Sequence, residues 1–165
     1  MSFRLSSLAG FSAVFLVAGG IAVTQAQAVV PQSTSAVDTN ETGLAMQGYD
    51  AVAYFTDGKP VKGKPDFKAE HDGATYYFAS ADHLQKFTAN PAAYLPQYGG
   101  FCAMGAAIGR KVEGDPTIWK VVDQKLYLNF NPDVAVRWNK DIPGNVAKAD
   151  GNWPDIRNKT PKELE

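Results

Sequence analysis

The stretch Phe67–Phe78 constrains the fold more than any other part of the chain. Its residues, Phe-Lys-Ala-Glu-His-Asp-Gly-Ala-Thr-Tyr-Tyr-Phe, alternate around Asp72-Gly73. Asp-Gly suits a two-residue hairpin turn in which both central residues take positive φ. The predicted register pairs Phe67 with Phe78, Ala69 with Tyr76 and His71 with Ala74 on one face. Lys68 with Tyr77 and Glu70 with Thr75 occupy the other face. A second hairpin is expected over 119–129, turning at Asp123-Gln124, with Trp119, Val121, Leu126 and Leu128 on one face. Gln124 is a poor residue for positive φ.

Helical signals surround the hairpins. Ser80 followed by Leu84 and Phe87 reads as an N-cap and a short helix ending near Asn90-Pro91. A further helical turn is expected from Ala92 to Gln97, and Tyr98-Gly99-Gly100-Phe101-Cys102 demands a bend. Asn131-Pro132 caps a helix through Trp138, and Pro143 and Pro154 bracket a last short helical segment. No internal repeat is visible. The expected fold is α+β: a small antiparallel sheet from two hairpins, with short helices packed on one face.

The N-terminal region reads as an export signal. Arg4 is followed by no charged residue until Asp38, an apolar stretch runs from Leu8 to Val23, and Ala26-Gln27-Ala28 offers the small residues of a cleavage site. Residues 1–28 are therefore expected to be a signal peptide, which points to a periplasmic protein. The rival reading is an uncleaved membrane anchor; Gly10, Ser12, Gly19 and Gly20 interrupt the run and weigh against it. Residues 29–42 are polar and aperiodic, as a flexible tether would be. The domain is placed at 43–157 and a polar tail at 158–165. No second apolar run follows, so no membrane association is expected after cleavage.

Removal of 28 residues leaves 137, enough for one core, with 15 basic and 17 acidic side chains. That balance gives no reason to expect nucleic acid or anionic lipid as a partner. There is one cysteine, Cys102, so no internal disulfide forms. A lone thiol in an oxidising compartment is buried as a small apolar residue, bound to a metal, or reactive toward a partner.

From Gly48 to about Tyr98 the chain resembles the YHS domain, a small metal-associated module of heavy-metal-transporting ATPases, some monooxygenases and stand-alone proteins. The resemblance is carried by Tyr77-Phe78-Ala79-Ser80, Lys86-Phe87, Asn90-Pro91 and Tyr94-Leu95. Upstream, Tyr49-Asp50-Ala51-Val52-Ala53-Tyr54 is similar to the family's Asp-Pro-Val-Cys segment. Tyr98 to Ala103, Gly114-Asp115-Pro116 and Leu126 to Asn129 extend the similarity to exported bacterial stand-alone members. The resemblance implies metal binding, but metal-binding members place cysteines where this chain has Ala53, Ala79 and His83. Only His83 keeps a donor.

Two site readings follow. In the first, Cys102 and His83, completed by Met104 or His71, hold copper or zinc through soft donors. With Ser80 as N-cap, His83 falls at the third helical position, where the helix dipole disfavours a positive imidazole and leaves the neutral ring that metals bind. In the second, the module is metal-free and an aromatic cleft around Tyr98, Gly99, Gly100 and Phe101 takes a small molecule or another exported protein. Set against these, His83 is a helix histidine, Cys102 a buried structural residue, His71 a rim residue, and Asp50 and Asp115-Pro116 are turn residues. No nucleophile signature, paired carboxylates or phosphate loop appears, so catalysis is not expected.

Overall fold

The computed structural model describes residues 36–165. The expected signal peptide and residues 29–35 of the expected tether lie outside this range. Within it the elements are α1 (Ala53–Thr56), β1 (Lys64–His71), β2 (Ala74–Phe78), α2 (Ala81–Ala89), α3 (Ala103–Ala107), β3 (Asp115–Val122), β4 (Lys125–Asn129), α4 (Pro132–Asn139) and α5 (Ile142–Ile156). Short 3₁₀ turns stand at Met46–Gly48, Pro91–Ala93, Gln97–Gly100 and Pro161–Leu164. The class is α+β, as expected. The hairpins form two separate two-stranded antiparallel sheets rather than one. Among the described residues no helix is long and apolar enough to cross a membrane.

Both turns form where the sequence places them. Asp72 and Gly73 take φ of 49° and 75°, and Asp123 and Gln124 take 50° and 58°. Gln124 therefore adopts the left-handed conformation despite its side chain, held by the ladder on either side. In the first hairpin His71 pairs with Ala74, Glu70 with Thr75, Ala69 with Tyr76 and Lys68 with Tyr77. The register then slips, and Phe78 pairs with Lys64 instead of Phe67. Pro65 lies in the slipped segment and has no N–H to give the ladder.

Two apolar clusters fill the interior. The first gathers Tyr76, Phe78, Phe87, Val52 and Tyr54 with Leu126 and Leu128 of the second hairpin; the second gathers Tyr98, Ala103, Ala106, Tyr127, Trp138 and Ala149. β4 thus serves both, sending alternate side chains to opposite faces. α2 begins at a true N-cap, the Ser80 hydroxyl accepting from His83 N–H, and α4 likewise, Asn131 Oδ1 accepting from Val134 N–H. The segment after α2 forms two 3₁₀ turns, not the single turn expected from Ala92 to Gln97. α5 runs through Pro154 to Ile156, and Pro154 does not end it. The N–H that proline lacks would have met the carbonyl of solvent-exposed Asp150, so little is lost.

The domain extends beyond its expected limits at both ends. Val37 is buried in the first cluster, and Asp38 N–H donates to Gly99 O at 2.8 Å. Residues 36–42 are therefore a strap on the domain, not a tether. At the other end Lys111 Nζ donates to Lys159 O at 2.8 Å, and a capping box joins Thr160 and Glu163.

The structure also contains a repeat that inspection of the chain misses. Lys64, Asp72, Phe78 and Ser80 open, turn, close and cap the first hairpin and helix; Asp115, Asp123, Asn129 and Asn131 do the same, each 51 residues later. The register slip recurs too, since Asp115 pairs with Asn129 and the next pair is Trp119 with Leu128. Before each hairpin comes a left-handed turn, Met46–Gly48 or Gln97–Gly100, and a short helix, α1 or α3. A parallel bridge joins Leu44 to Thr75 in the first, and Pro96, one residue beyond the offset, to Leu126 in the second. Superimposed by this offset, Gly48, Gly58, Val61, Gly63, Pro65, Asp72 and Tyr76 meet Gly99, Gly109, Val112, Gly114, Pro116, Asp123 and Tyr127. Residues 44–99 and 95–150 are two copies of one unit, sharing a junction.

Candidate functional site

The centre of the first copy is Asp50. Its side chain is fully buried and accepts three hydrogen bonds: from Val52 N–H at 2.8 Å, Ala79 N–H at 2.7 Å and His83 Nδ1 at 2.6 Å. One carboxylate thereby joins the start of α1, the end of β2 and α2. The expectation that Asp50 is only a turn residue is corrected here. A buried carboxylate is tolerable only when its lone pairs are taken up in this way. The available signal was its place in the segment similar to Asp-Pro-Val-Cys.

His83 is held from both sides. Nε2 lies 3.2 Å from Thr56 Oγ1 and 3.7 Å from Asp57 Oδ1. The Thr56 hydroxyl lies 2.7 Å from Asp57 Oδ1 and 3.2 Å from Val52 O. The Thr56 hydroxyl has one proton and three neighbours, of which Asp57 Oδ1 is the nearest.

Cys102 is elsewhere and differently engaged. Its sulfur caps α3 by accepting from Gly105 N–H at 3.4 Å, and its thiol donates to Asn129 Oδ1 at 3.7 Å. Asn129 Oδ1 also accepts from Met104 N–H at 3.4 Å. Burial pushes the Cys102 thiol up from its ordinary value, which keeps it protonated and a poor thiolate donor. Met104 packs against the second apolar cluster, and His71 rests edge-on to Phe87 with Asp72 at 3.7 Å. Cys102 and the Met104 backbone thus meet at Asn129, while His83 and His71 have other partners. Among the described residues no group of three or more His, Cys, Asp and Glu is arranged to hold a metal.

The Tyr98-to-Phe101 segment does line open space, on two sides. Tyr98 and Gly99 border a cleft of about 310 Å³, walled by Tyr76, Leu95 and Trp153 and rimmed by Asp72, Asp150 and Arg157. Gly100 and Phe101 border a separate recess of about 350 Å³ with Asp38, Gln47 and Glu113. Neither Cys102 nor His83 borders either space.

The cleft is built by strain and packing. Tyr98 sits at φ 55° and Gly99 at 63°, a left-handed pair that turns the Tyr98 ring inward. Its hydroxyl donates to Asp150 Oδ1 at 2.9 Å, and its ring meets Trp153 edge-on at 5.7 Å. Burial, with Asp150 adding to it, pushes the Tyr98 hydroxyl up, so it stays a donor. A Cβ on Gly99 would fall 1.7 Å from Ala36 O, so only glycine lets the strap close this wall. Trp153 is among the aromatics that the sequence offers as pocket walls around Gly99-Gly100, but Asp150 and Arg157 were missed, although spacings of three and four from Trp153 place them on its helical face.

Comparison with known proteins gives one match: residues 52–98 fit the family model of the YHS domain. No curated protein and no solved structure matches the chain. The matched segment runs from the start of α1 to Tyr98 and so covers most of the first copy, while the second lies outside it.

Proposed function

Over residues 52–98 this chain is a YHS domain, and on that premise we propose that it is an exported, non-catalytic binding module whose ligand enters the Tyr98–Trp153 cleft. The observation that carries this reading is a contrast in engagement. His83 and Cys102 are buried and bonded within the chain, whereas Asp72, Asp150 and Arg157 keep exposed side chains around an aromatic floor, Asp150 giving one oxygen to Tyr98. A concave, largely preformed space with a few convergent polar groups is what a small-molecule site requires. The absence of catalysis is supported by Cys102, whose buried sulfur caps α3 and whose thiol is pushed up by burial.

Copper or zinc binding, which the family resemblance implies, has one point of support. A buried carboxylate on Nδ1 is how metal-binding histidines are oriented, and Asp50 does this to His83. The donors that remain are Nε2 and the Asp57 carboxylate, because Ala53 and Ala79 replace the family's cysteines. A structural zinc site takes four ligands, so these residues do not fit one.

The test is fragment mapping on the protein expressed with its own N-terminal segment and purified after export. A set of small aromatic, amine and carboxylate fragments, followed by ¹H–¹⁵N correlation spectra, is expected to shift Tyr98, Gly99 and the Trp153 indole together. Shifts confined to other surfaces would overturn the cleft as the binding site. Intact mass of the same sample is expected to correspond to a chain beginning at Val29.

A further inference from the structure

We infer that the ligand of this cleft is a small organic cation, an amine or a quaternary ammonium. The inference rests on the cleft being the binding site and adds the class of ligand. Three observations lead to it.

Two carboxylates face the cleft from different elements: Asp72 at the tip of the first hairpin and Asp150 on α5. Among the described residues Arg157, at the exposed C-terminal end of α5, is the one cationic side chain on the rim. The rings of Tyr98 and Trp153 line the same cleft, set at 64° to each other with centroids 5.7 Å apart. A corner of two electron-rich rings with carboxylates beside it attracts a cation through both the ring quadrupoles and Coulomb attraction.

The corner is rigid before any ligand arrives. The Tyr98 hydroxyl is tied to Asp150 Oδ1, leaving the other carboxylate oxygen for a ligand, and Trp153 also packs against Phe101 at 6.1 Å. Rigid walls cost little ordering free energy on binding.

The second copy supplies an internal comparison. Its equivalent space, about 330 Å³, keeps Asp123 and Tyr127 where the first has Asp72 and Tyr76, and it also reaches Asp150. Its other wall is Ile142, Pro143 and Val146, and Lys125 stands on its border. The acidic and tyrosine positions belong to the repeated unit, but the aromatic corner occurs only in the first cleft.

Tetramethylammonium, its neutral near-isostere tert-butanol, and inorganic phosphate are the probes, titrated separately into the whole exported protein. Tetramethylammonium is expected to shift Tyr98, Gly99 and the Trp153 indole saturably, and tert-butanol to bind at least about threefold more weakly. Asp72→Asn and Asp150→Asn are each expected to weaken the cation several-fold and leave tert-butanol unchanged. Asp72 is an exposed turn residue at positive φ, a conformation asparagine accepts, so this variant folds and keeps the test decisive. Equal binding of tert-butanol, or phosphate binding in place of the cation, overturns the inference. If the fragment set marks the cleft and tetramethylammonium does not, the ligand class alone falls; if neither marks it, the cleft reading falls with it.

Discussion

The two copies differ most at the places where the first is polar. Asp50 and His83 in the first correspond to Phe101 and Val134 in the second, and Cys102 corresponds to Ala51. The unit therefore folds with either a buried carboxylate–imidazole pair or apolar side chains at those positions. This comparison separates what the unit needs, namely its glycines, register slip and helix caps, from what each copy adds.

The entry to each hairpin shows the same separation. In the first copy Gly63 N–H donates to Gly48 O at 2.9 Å. Their counterparts do not meet: Gly99 O accepts from Asp38 N–H at 2.8 Å, and Gly114 N–H donates to Asp38 Oδ2 at 2.8 Å. Asp38 is inserted into a bond of the repeated unit. The strap thereby opens one recess and seals one wall of the cleft, and the copies cease to be equivalent.

The largest effect is expected from a glycine whose copies face different neighbours. Gly99→Ala drives a methyl into the Ala36 carbonyl and should cost more than about 3 kcal/mol, or release the strap. Gly48→Ala meets only side chains, Leu44 at 3.3 Å and Tyr77 at 3.7 Å, and should cost about 1–2 kcal/mol, chiefly from its positive φ. Chemical denaturation of both variants gives the ratio, and equal losses would break the account of the strap.

Next is the polar pair. Asp50→Ala removes the acceptor for Val52 and Ala79 N–H groups and for His83, and should cost about 3–4 kcal/mol. His83→Val, which imports the second copy's residue, should cost about 2 kcal/mol because Asp50 then loses one of its three donors. The double variant should be less destabilised than the sum, and additivity in the cycle would deny the coupling.

Asp38 should produce a pH dependence of comparable size. Burial raises its carboxyl from 3.8 to about 6 in the folded protein. Below pH 3.8 both states hold the proton. As pH rises toward 6 the unfolded chain releases a proton that the folded chain keeps, so stability falls by up to about 3 kcal/mol and then levels. Asp38→Asn should remove this fall when the two proteins are compared across pH 4–7.

The smallest effect is expected at Trp138, the second copy's counterpart of Phe87. Its indole N–H is buried without a partner among the described residues, so Trp138→Phe trades lost packing against removal of an unmet donor and should change stability by about 1 kcal/mol or less. A large loss would mean that the indole is bonded in solution.

Local chemistry was legible in the chain where a residue acts on near neighbours. Asp72-Gly73, Ser80 and Asn131-Pro132 each form the turn or cap their type predicts. Long-range placement was not. The duplication escaped notice because its shared residues are scattered glycines, a valine, a proline, two aspartates and a tyrosine, while the apolar side chains between them diverged. Of the expected cleft residues, Tyr98 and Gly99 line it; Trp153 and Asp150 come from a helix some 50 residues away and join only through tertiary packing. The metal reading relied on Cys102 approaching a histidine. A cap on α3 and a hydrogen bond to Asn129 direct that sulfur to other partners.

The most direct test of the central claim is a titration of the exported protein with Zn(II) and Cu(I), read as histidine ring and Cys102 signals in ¹H–¹⁵N and ¹H–¹³C spectra. The account predicts no stoichiometric change at His83 or Cys102, while the Tyr98 and Trp153 signals remain free to respond to the organic cation. A one-equivalent change at either residue, lost in His83→Ala or Cys102→Ser, would contradict it and make metal handling the function of the first copy.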